Sequence, residues 1–438
     1  MFLAPEFKVS MLHHEHSEIG KDYALLRIAG CRVCGCKELL NILDLGEHYI
    51  IDFPEIEQTG TKAPLELLLC AQCGLVQLGH TVPRELLYRR YWYRSGISET
   101  MVRALADIVK SAENLANLKP NDIVIDIGAN DGTLLNHFSD PRIRRVGFEP
   151  SENLVAYAKH SGDIVNEFFS AESFLSRYPN EKAKIITAIA MFYDLDDPNQ
   201  FVTDIERILD PEGLFIIQMN YLCTMVERNT FDNICHEHLE YYSLGSLQFL
   251  LQSHGLEIFD VELNEVNGGS FRIYVRHKGS KLGGEVSDAV AKLATYESRL
   301  GTNRIETYLA FANRIKEIAG KLHRFVASEV RSGRRIYVNG ASTRGNTILQ
   351  VARLGHSLIV AAADRNPDKW GRRMVGSNIP IISKEQARRE KPDYYLVLPY
   401  AFLNEIMQEE ETYLEAGGRF IVPIPHPHVI TSKGKSYI

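Results

Sequence analysis

The chain lacks any long apolar run: stretches such as Ile185–Phe192 fall well short of the roughly 20 residues that cross a bilayer. It lacks a basic surplus as well. A net charge of −7 argues against general affinity for nucleic acid and leaves only local basic sites open. The first residues, MFLAPEFKVSMLHHEHSEIG, carry acids and no basic-then-apolar leader, so a cytoplasmic protein free of the membrane is expected. Cysteine is scarce and unevenly placed. Five of the seven fall between 31 and 73, with Cys223 and Cys235 far from them. An odd number in a cytosolic chain of this size argues against a disulfide framework, so the cluster needs another explanation. What remains is an ordinary globular composition, 45% hydrophobic and 24% charged, long enough for two or three domains.

Hydrophobic patterning divides the chain. Residues 1–25 read as a loosely packed extension in which His13, His14 and His16 are solvated. A cysteine-rich module is expected over 26–85. From 86 to 280, short buried strands (NDIVIDIG, RRVGFEP, KIITAIAMF, GLFIIQMN) alternate with helices, the grammar of a parallel sheet with crossovers. Residues 281–330 carry apolar side chains at helical spacing and read as a helical connector. A second βαβ series fills 331–438, through RRIYVNGASTRGNT, SLIVAAADRNP, DYYLVLPY and GGRFIVPIP. The predicted fold class is α/β: a small four-cysteine module, a central Rossmann-like domain and a second Rossmann-like α/β domain.

Cys31-x-x-Cys34 and Cys70-x-x-Cys73 are two turns that can each aim a pair of thiolates inward. Four soft thiolates at tetrahedral corners favour Zn²⁺, and a closed four-cysteine site leaves no open position for chemistry. The zinc is therefore expected to be structural, with Cys36 left over.

In VIDIGANDGTLL, residues Asp126, Gly128, Asn130, Asp131 and Gly132 surround a strand-to-helix turn. Glycine lets the backbone approach a ligand, and the helix start offers N–H groups. Glu149-Pro150 ends the next strand, where an acid can accept hydrogen bonds from both ribose hydroxyls. A dinucleotide turn would read GxGxxG. The pattern here, Asp-x-Gly-x-x-x-Gly with a downstream Glu, resembles the S-adenosylmethionine (SAM) site of class I methyltransferases, with NAD as the rival.

One segment, TFDNICHEHLEYYSL (230–244), gathers two histidines, two glutamates, a cysteine and two tyrosines. His236 and His238 would share a face if the segment were extended, with Glu237 pointing away. A metal pair, an acid–base pair and a wet loop are all open from these residues alone.

Together, the four-cysteine module, the Tyr91–Ser98 stretch, the SAM turn, the HEH segment, NGGSFR (267–272) and GAS-x-x-GNT (340–347) resemble the nucleotide-sugar C-methyltransferases, typified by sugar 3-C-methyltransferases. The resemblance covers about residues 28–430. It implies a zinc module forming part of the pocket, a central SAM-binding domain, and a C-terminal domain holding a dTDP- or GDP-linked 4-keto-6-deoxysugar, in a monomer or small homo-oligomer. It implies methyl transfer to a carbon beside the ketone, C3 in that type, after a general base has made the enolate. His238 is then the expected base and Glu237 its partner, with Tyr91 and Tyr93 the candidates for the family's pocket tyrosine and Tyr193 a candidate proton donor. His236 stands in the catalytic set as the histidine expected to face away. Ser95, Asn220, Gly340, Ser342, Arg344 and Asn346 are the expected substrate contacts.

Two positions depart from the family pattern. Its Tyr-His-Glu-His reads Cys235-His236-Glu237-His238 here, and Tyr193 in MFYDLDDP stands where it often has His. Both bear on the acceptor carbon and the base. Between 331 and 373 basic residues greatly outnumber acids. The Gly340–Asn346 turn is expected to offer its N–H groups to a diphosphate, with Arg344 pairing the charge and Asp364 capping or binding a ribose. Rival functions are methylation of oxygen, nitrogen or a non-sugar carbon acid, and non-catalytic binding of a sugar nucleotide.

Overall fold

The computed structural model describes residues 8–11, 24–50, 52–55 and 60–438. His13, His14 and His16 lie outside these residues. Part of the expected extension is sheet: Lys8–Met11 pairs antiparallel with Ala24–Arg27, which pairs in turn with His80–Thr81.

The central domain is a seven-stranded sheet of β1 (Ile123–Ile127), β2 (Arg144–Phe148), β3 (Asp163–Val165), β4 (Ala183–Ile189), β5 (Leu209–Asn220), β6 (Leu256–Asn264) and β7 (Ser270–His277), in the order β6-β7-β5-β4-β1-β2-β3. β1 to β5 run parallel, and β7 is antiparallel to both β5 and β6. Every residue of β1 is buried, as expected of a strand covered on both faces. The helix Glu99–Ala116 covers one face with Met101, Leu105, Ile108, Val109 and Ala112, capped by Ser98 at its start and by Asn117 in the left-handed region at its end. Strand order reverses between β1 and β4, and in an open parallel sheet that reversal leaves a crevice at the carboxyl ends.

The second sheet repeats this arrangement with β8 (Ile336–Asn339), β9 (Ala362–Asp364), β10 (Ile381–Ser383), β11 (Tyr394–Val397), β12 (Arg419–Val422), β13 (His428–Thr431) and β14 (Gly434–Tyr437), ordered β10-β9-β8-β11-β12-β13-β14. β8 to β12 are parallel, and β13 and β14 extend the edge as an antiparallel hairpin.

The two helices of the expected connector belong to different cores. Asp288–Leu300 packs Val290 and Leu293 on the central domain, whereas Ile305–Arg331 packs Phe311, Ile315, Ile318, Leu322 and Val326 into a core shared with the second sheet. The cysteine-rich module is wedged between the same two cores. Its Cys31, Val33, Cys70 and Leu75 join the first, and Ile42, Leu65 and Leu67 of its antiparallel strands Leu39–Tyr49 and Lys62–Cys70 join the second. A wedge of that kind holds the crevices of the two sheets in register.

Candidate active site

The two cysteine turns are built alike. Gly35 N–H donates to Cys31 O and Gly74 N–H to Cys70 O, and both glycines have φ near 72°, a conformation that side chains disfavour. The four sulfurs lie within 4.8 Å of one another, with Cys31–Cys73 at 3.5 Å and Cys34–Cys70 at 3.4 Å. Four thiolates each about 2.3 Å from a tetrahedral Zn²⁺ stand about 3.8 Å apart, so the group fits that ion. Cys36 lies outside, its sulfur 3.9 Å from Glu38 O.

At the crevice of the first sheet lies a cavity of about 360 Å³. Asp126 and Gly128 reach it from the end of β1, Glu149 and Pro150 from the end of β2, and Ala190 and Met191 from the end of β4. Gly128 has φ 74°, and a Cβ there would press on the Met191 side chain at 3.2 Å. Glu149 accepts Asn130 N–H and Ser151 N–H at 2.8 and 2.7 Å, which fixes its carboxylate and leaves outer lone pairs for a ligand. Asp126 accepts the Thr187 hydroxyl at 2.6 Å, and burial raises its carboxyl to about 7. Tyr91, Tyr93, Ser95, Tyr193, Cys235, Glu237 and His238 complete the wall on the far side.

The HEH segment is not an extended strand. After the helical turn Phe231–Asn233 the chain bends at Cys235 and turns at His236–Glu237. Glu240–Tyr241 then pairs with Val76 and Gln77 as a fourth strand of the cysteine-rich module's sheet. The turn sends the two histidines in different directions. His236 bonds Ala63 O at 3.1 Å, inside that module, and is not in the cavity wall. His238 faces the cavity with its ring centroid 4.3 Å from that of Tyr193. Its Nδ1 is 2.7 Å from Asn233 O, so Nδ1 carries the proton and Nε2 keeps a lone pair. Burial, reinforced by the Arg344 charge, pushes the imidazole down to about 3. No hydrogen bond joins the Glu237 carboxyl to the His238 ring. Tyr88 donates to its backbone carbonyl at 2.8 Å, its Oε2 has no partner, and burial raises its carboxyl to about 7.

A second cavity of about 240 Å³ lies at the carboxyl ends of β8, β9 and β11. Gly340, Ser342 and Arg344 line it, with Asp364, Arg365, Lys369, Lys384 and Tyr400. Tyr93, Asn267, Thr343 and Arg344 line both cavities, so the two meet at these side chains. Arg344 is fixed there by Asp232 at 2.7 Å and Asn267 O at 3.1 Å, while Tyr400 donates to the other Asp232 oxygen at 2.7 Å.

Comparison with known proteins places this geometry. Residues 265–425 match the model of the "C-methyltransferase C-terminal domain", 97–261 that of a "Methyltransferase domain", and 31–88 that of a "Putative zinc binding domain". The C-methyltransferase NovU of Streptomyces niveus is 32% identical over 411 residues, covering 92% of this chain and 97% of that protein. The chain belongs to the C-methyltransferase family. Among solved structures, an S-adenosylmethionine-dependent methyltransferase from Clostridium acetobutylicum ATCC 824 is 13% identical, covering 42% of this chain and 97% of that one, at a TM-score of 0.34. The Haloferax volcanii Trm112 activator complexed with a methyltransferase is 15% identical, covering 41% and 95%, at 0.33.

Within this C-methyltransferase, several expected residues stand away from the cavities. Asp131 instead accepts Gly96 N–H at 2.8 Å and the Thr133 hydroxyl at 2.6 Å, tying the aromatic stretch to the turn. Gly132 is a packing glycine: a Cβ there would meet Ser161 Oγ at 2.1 Å. Asn220 donates to Asn267 O at 3.1 Å and faces a separate void of about 10 Å³ behind His238. Asn346 is buried outside the second cavity. The Gly340–Asn346 turn also spends several of its N–H groups internally, Ala341 on Asp364 and Gly345 on Ser342 Oγ. Cationic side chains line the second cavity instead, each beside a carboxylate: Arg344 with Asp232, Arg365 with Glu405, Lys369 with Asp364 and Lys384 with Glu409. Lys369 is buried, with Nζ on Ala341 O at 2.8 Å. Asp194 and Tyr88 also line the first cavity and are not among the residues expected from the sequence.

Proposed function

We propose that the enzyme transfers a methyl group from SAM to the carbon beside the ketone of a nucleotide-diphosphate-linked 4-keto-6-deoxysugar, with C3 the expected position, in the cytoplasm. The observation that carries this reading is that the first cavity, rich in carboxyls, and the second, lined by Arg344, Arg365, Lys369 and Lys384 beside their carboxylate partners, meet at Tyr93, Asn267, Thr343 and Arg344. A nucleotide diphosphate in the second cavity would place its sugar at that junction.

Asp126, Gly128, Asn130, Glu149 and Pro150 are the residues that would hold SAM. When bound, it supplies a methyl group bearing no bonding pair of its own. The protein's part is to make a carbon nucleophile, hold it in line and keep water out. A base must titrate near the working pH. Glu237 at about 7 meets that condition, whereas His238 at about 3 is a weak base. In this reading Glu237 takes the carbon proton and the lone pair of His238 Nε2 accepts a sugar hydroxyl. The zinc module carries no step. It would keep its Zn²⁺ as a structural ion and hold the HEH turn through the Glu240–Tyr241 pairing.

A screen of dTDP- and GDP-linked 4-keto-6-deoxysugars for SAM-dependent gain of one methyl tests the reading. Deuterium washing from solvent into the carbon beside the ketone separates C-methylation from O-methylation. Methylation without such exchange at any keto-sugar would sink the carbon-acid chemistry.

A further inference from the structure

Two acids of the central cavity have no part in holding a cofactor. Asp194 ends the short helical turn Phe192–Asp194 after β4, and Glu237 sits in the HEH turn. Asp194 Oδ1 and Glu237 Oε2 are both shut off from solvent and have no hydrogen-bond partner among the described residues, with the Tyr88 hydroxyl beside the Asp194 carboxyl. Among the described residues, the titratable groups facing Asp194 are Tyr88, Tyr91, Tyr193, Cys235, Glu237, Glu240 and Tyr241, none of them a cation. The cavity's Arg344 is already paired with Asp232 at 2.7 Å. Two acids that feel one another across one cavity do not readily ionise together. Burial, then the Glu237 and Glu240 charges, hold Asp194 well above the usual carboxylate range, while burial lifts Glu237 only to about 7. Environments that push two acids apart in this way separate an acid from a base.

We propose that Asp194 is the proton donor to the keto oxygen of the acceptor, working opposite Glu237 in the same cavity, an assignment that rests on the carbon-acid reading above. As Glu237 takes the proton from carbon, the C–H bonding pair becomes the new C=C bond. The carbonyl π pair then takes the proton of Asp194, giving the enol. When the carbon gains its methyl, the O–H bond breaks, C=O re-forms and that proton returns to Asp194. One proton leaves the cycle, from Glu237 to solvent, and none is consumed.

The isosteric Asp194→Asn, made in the full chain, tests this in two ways. The infrared difference between wild type and variant at pH 8 should hold a protonated-carboxyl C=O band that shifts in D₂O. Its absence would overturn the assignment without any substrate being needed. With a 4-keto-6-deoxysugar nucleotide that the wild type methylates, the variant should lose about 10²- to 10³-fold in kcat, as when an oxyanion donor is removed. KM should stay close to wild type, and deuterium exchange without SAM should fall in parallel. Wild-type kcat and exchange in the variant would overturn it equally. If the band is present but no keto-sugar nucleotide is methylated by the wild type, Asp194 is the protonated acid inferred here and the substrate reading alone falls.

Discussion

The carboxyl ends of β1, β2 and β4 open onto a cavity walled by Asp126, Glu149, Asp194 and Glu237, whereas those of β8, β9 and β11 open onto one walled by Arg344, Arg365, Lys369 and Lys384. Both sheets are parallel in the middle, and both reverse strand order at the crevice. Topology therefore makes the two hollows, and the loops beyond the strands choose the sign of what enters. A sulfonium cofactor suits the acid wall and a diphosphate the basic one. The acid wall also does more than match charge, because burial drives the carboxyls of Asp126 and Glu237 up to about 7, the range where protons move.

The largest break in this comparison is expected at Glu237. Glu237→Gln should lose about 10²- to 10⁴-fold in kcat while affinity for both ligands, read by calorimetry, is kept. The base must be ionised to act, and burial raises it from 4.5 to about 7. Wild-type kcat should therefore climb through about pH 7 and level off above it. A pH-independent wild-type rate from 5 to 9 would remove Glu237 from the proton transfer.

A smaller, crossed effect separates the two walls. Glu149→Ala should weaken SAM binding about tenfold or more and leave nucleotide diphosphate binding unchanged, since it removes charge-assisted acceptors from one cavity only. Lys369→Met should do the reverse, and its loss should shrink as salt rises. Equal losses of both ligands in either variant would mean that the cavities are not separate sites.

The smallest effect is expected at His236. Its ring bonds Ala63 O within the cysteine-rich module, so His236→Ala should cost about 1–2 kcal/mol of stability, measured by urea unfolding, and leave kcat within a few fold. Loss of kcat on the scale of Glu237→Gln would return His236 to the active site.

Local spacing was legible where the chemistry is local. Each Cys-x-x-Cys-Gly forms its turn from its own residues, and Asp126, Gly128 and Glu149 sit at strand ends whose alternation with helices is plain. The HEH segment was not legible in the same way. An extended segment would have put both histidines on one face. Pairing of Glu240–Tyr241 with the cysteine-rich module's sheet, and the turn before it, sent them apart. Asp194 was unreadable because nothing nearby in sequence marks which acid of YDLDD lines a cavity. It is the tyrosines and the HEH turn, brought from elsewhere in the chain, that close over it.

By itself the sequence determined the α/β class, the four-cysteine cluster and the residues at the ends of the first strands. Periodicity, glycine turns and short motif spacings act over a few residues and survive in any arrangement of the whole. The tertiary structure alone decided which histidine faces the cavity, that Arg344 stands where two cavities meet, and that Asp194 and Glu237 line the same cavity. Those outcomes depend on desolvation and on contacts between distant segments, and neither exists until the chain is packed.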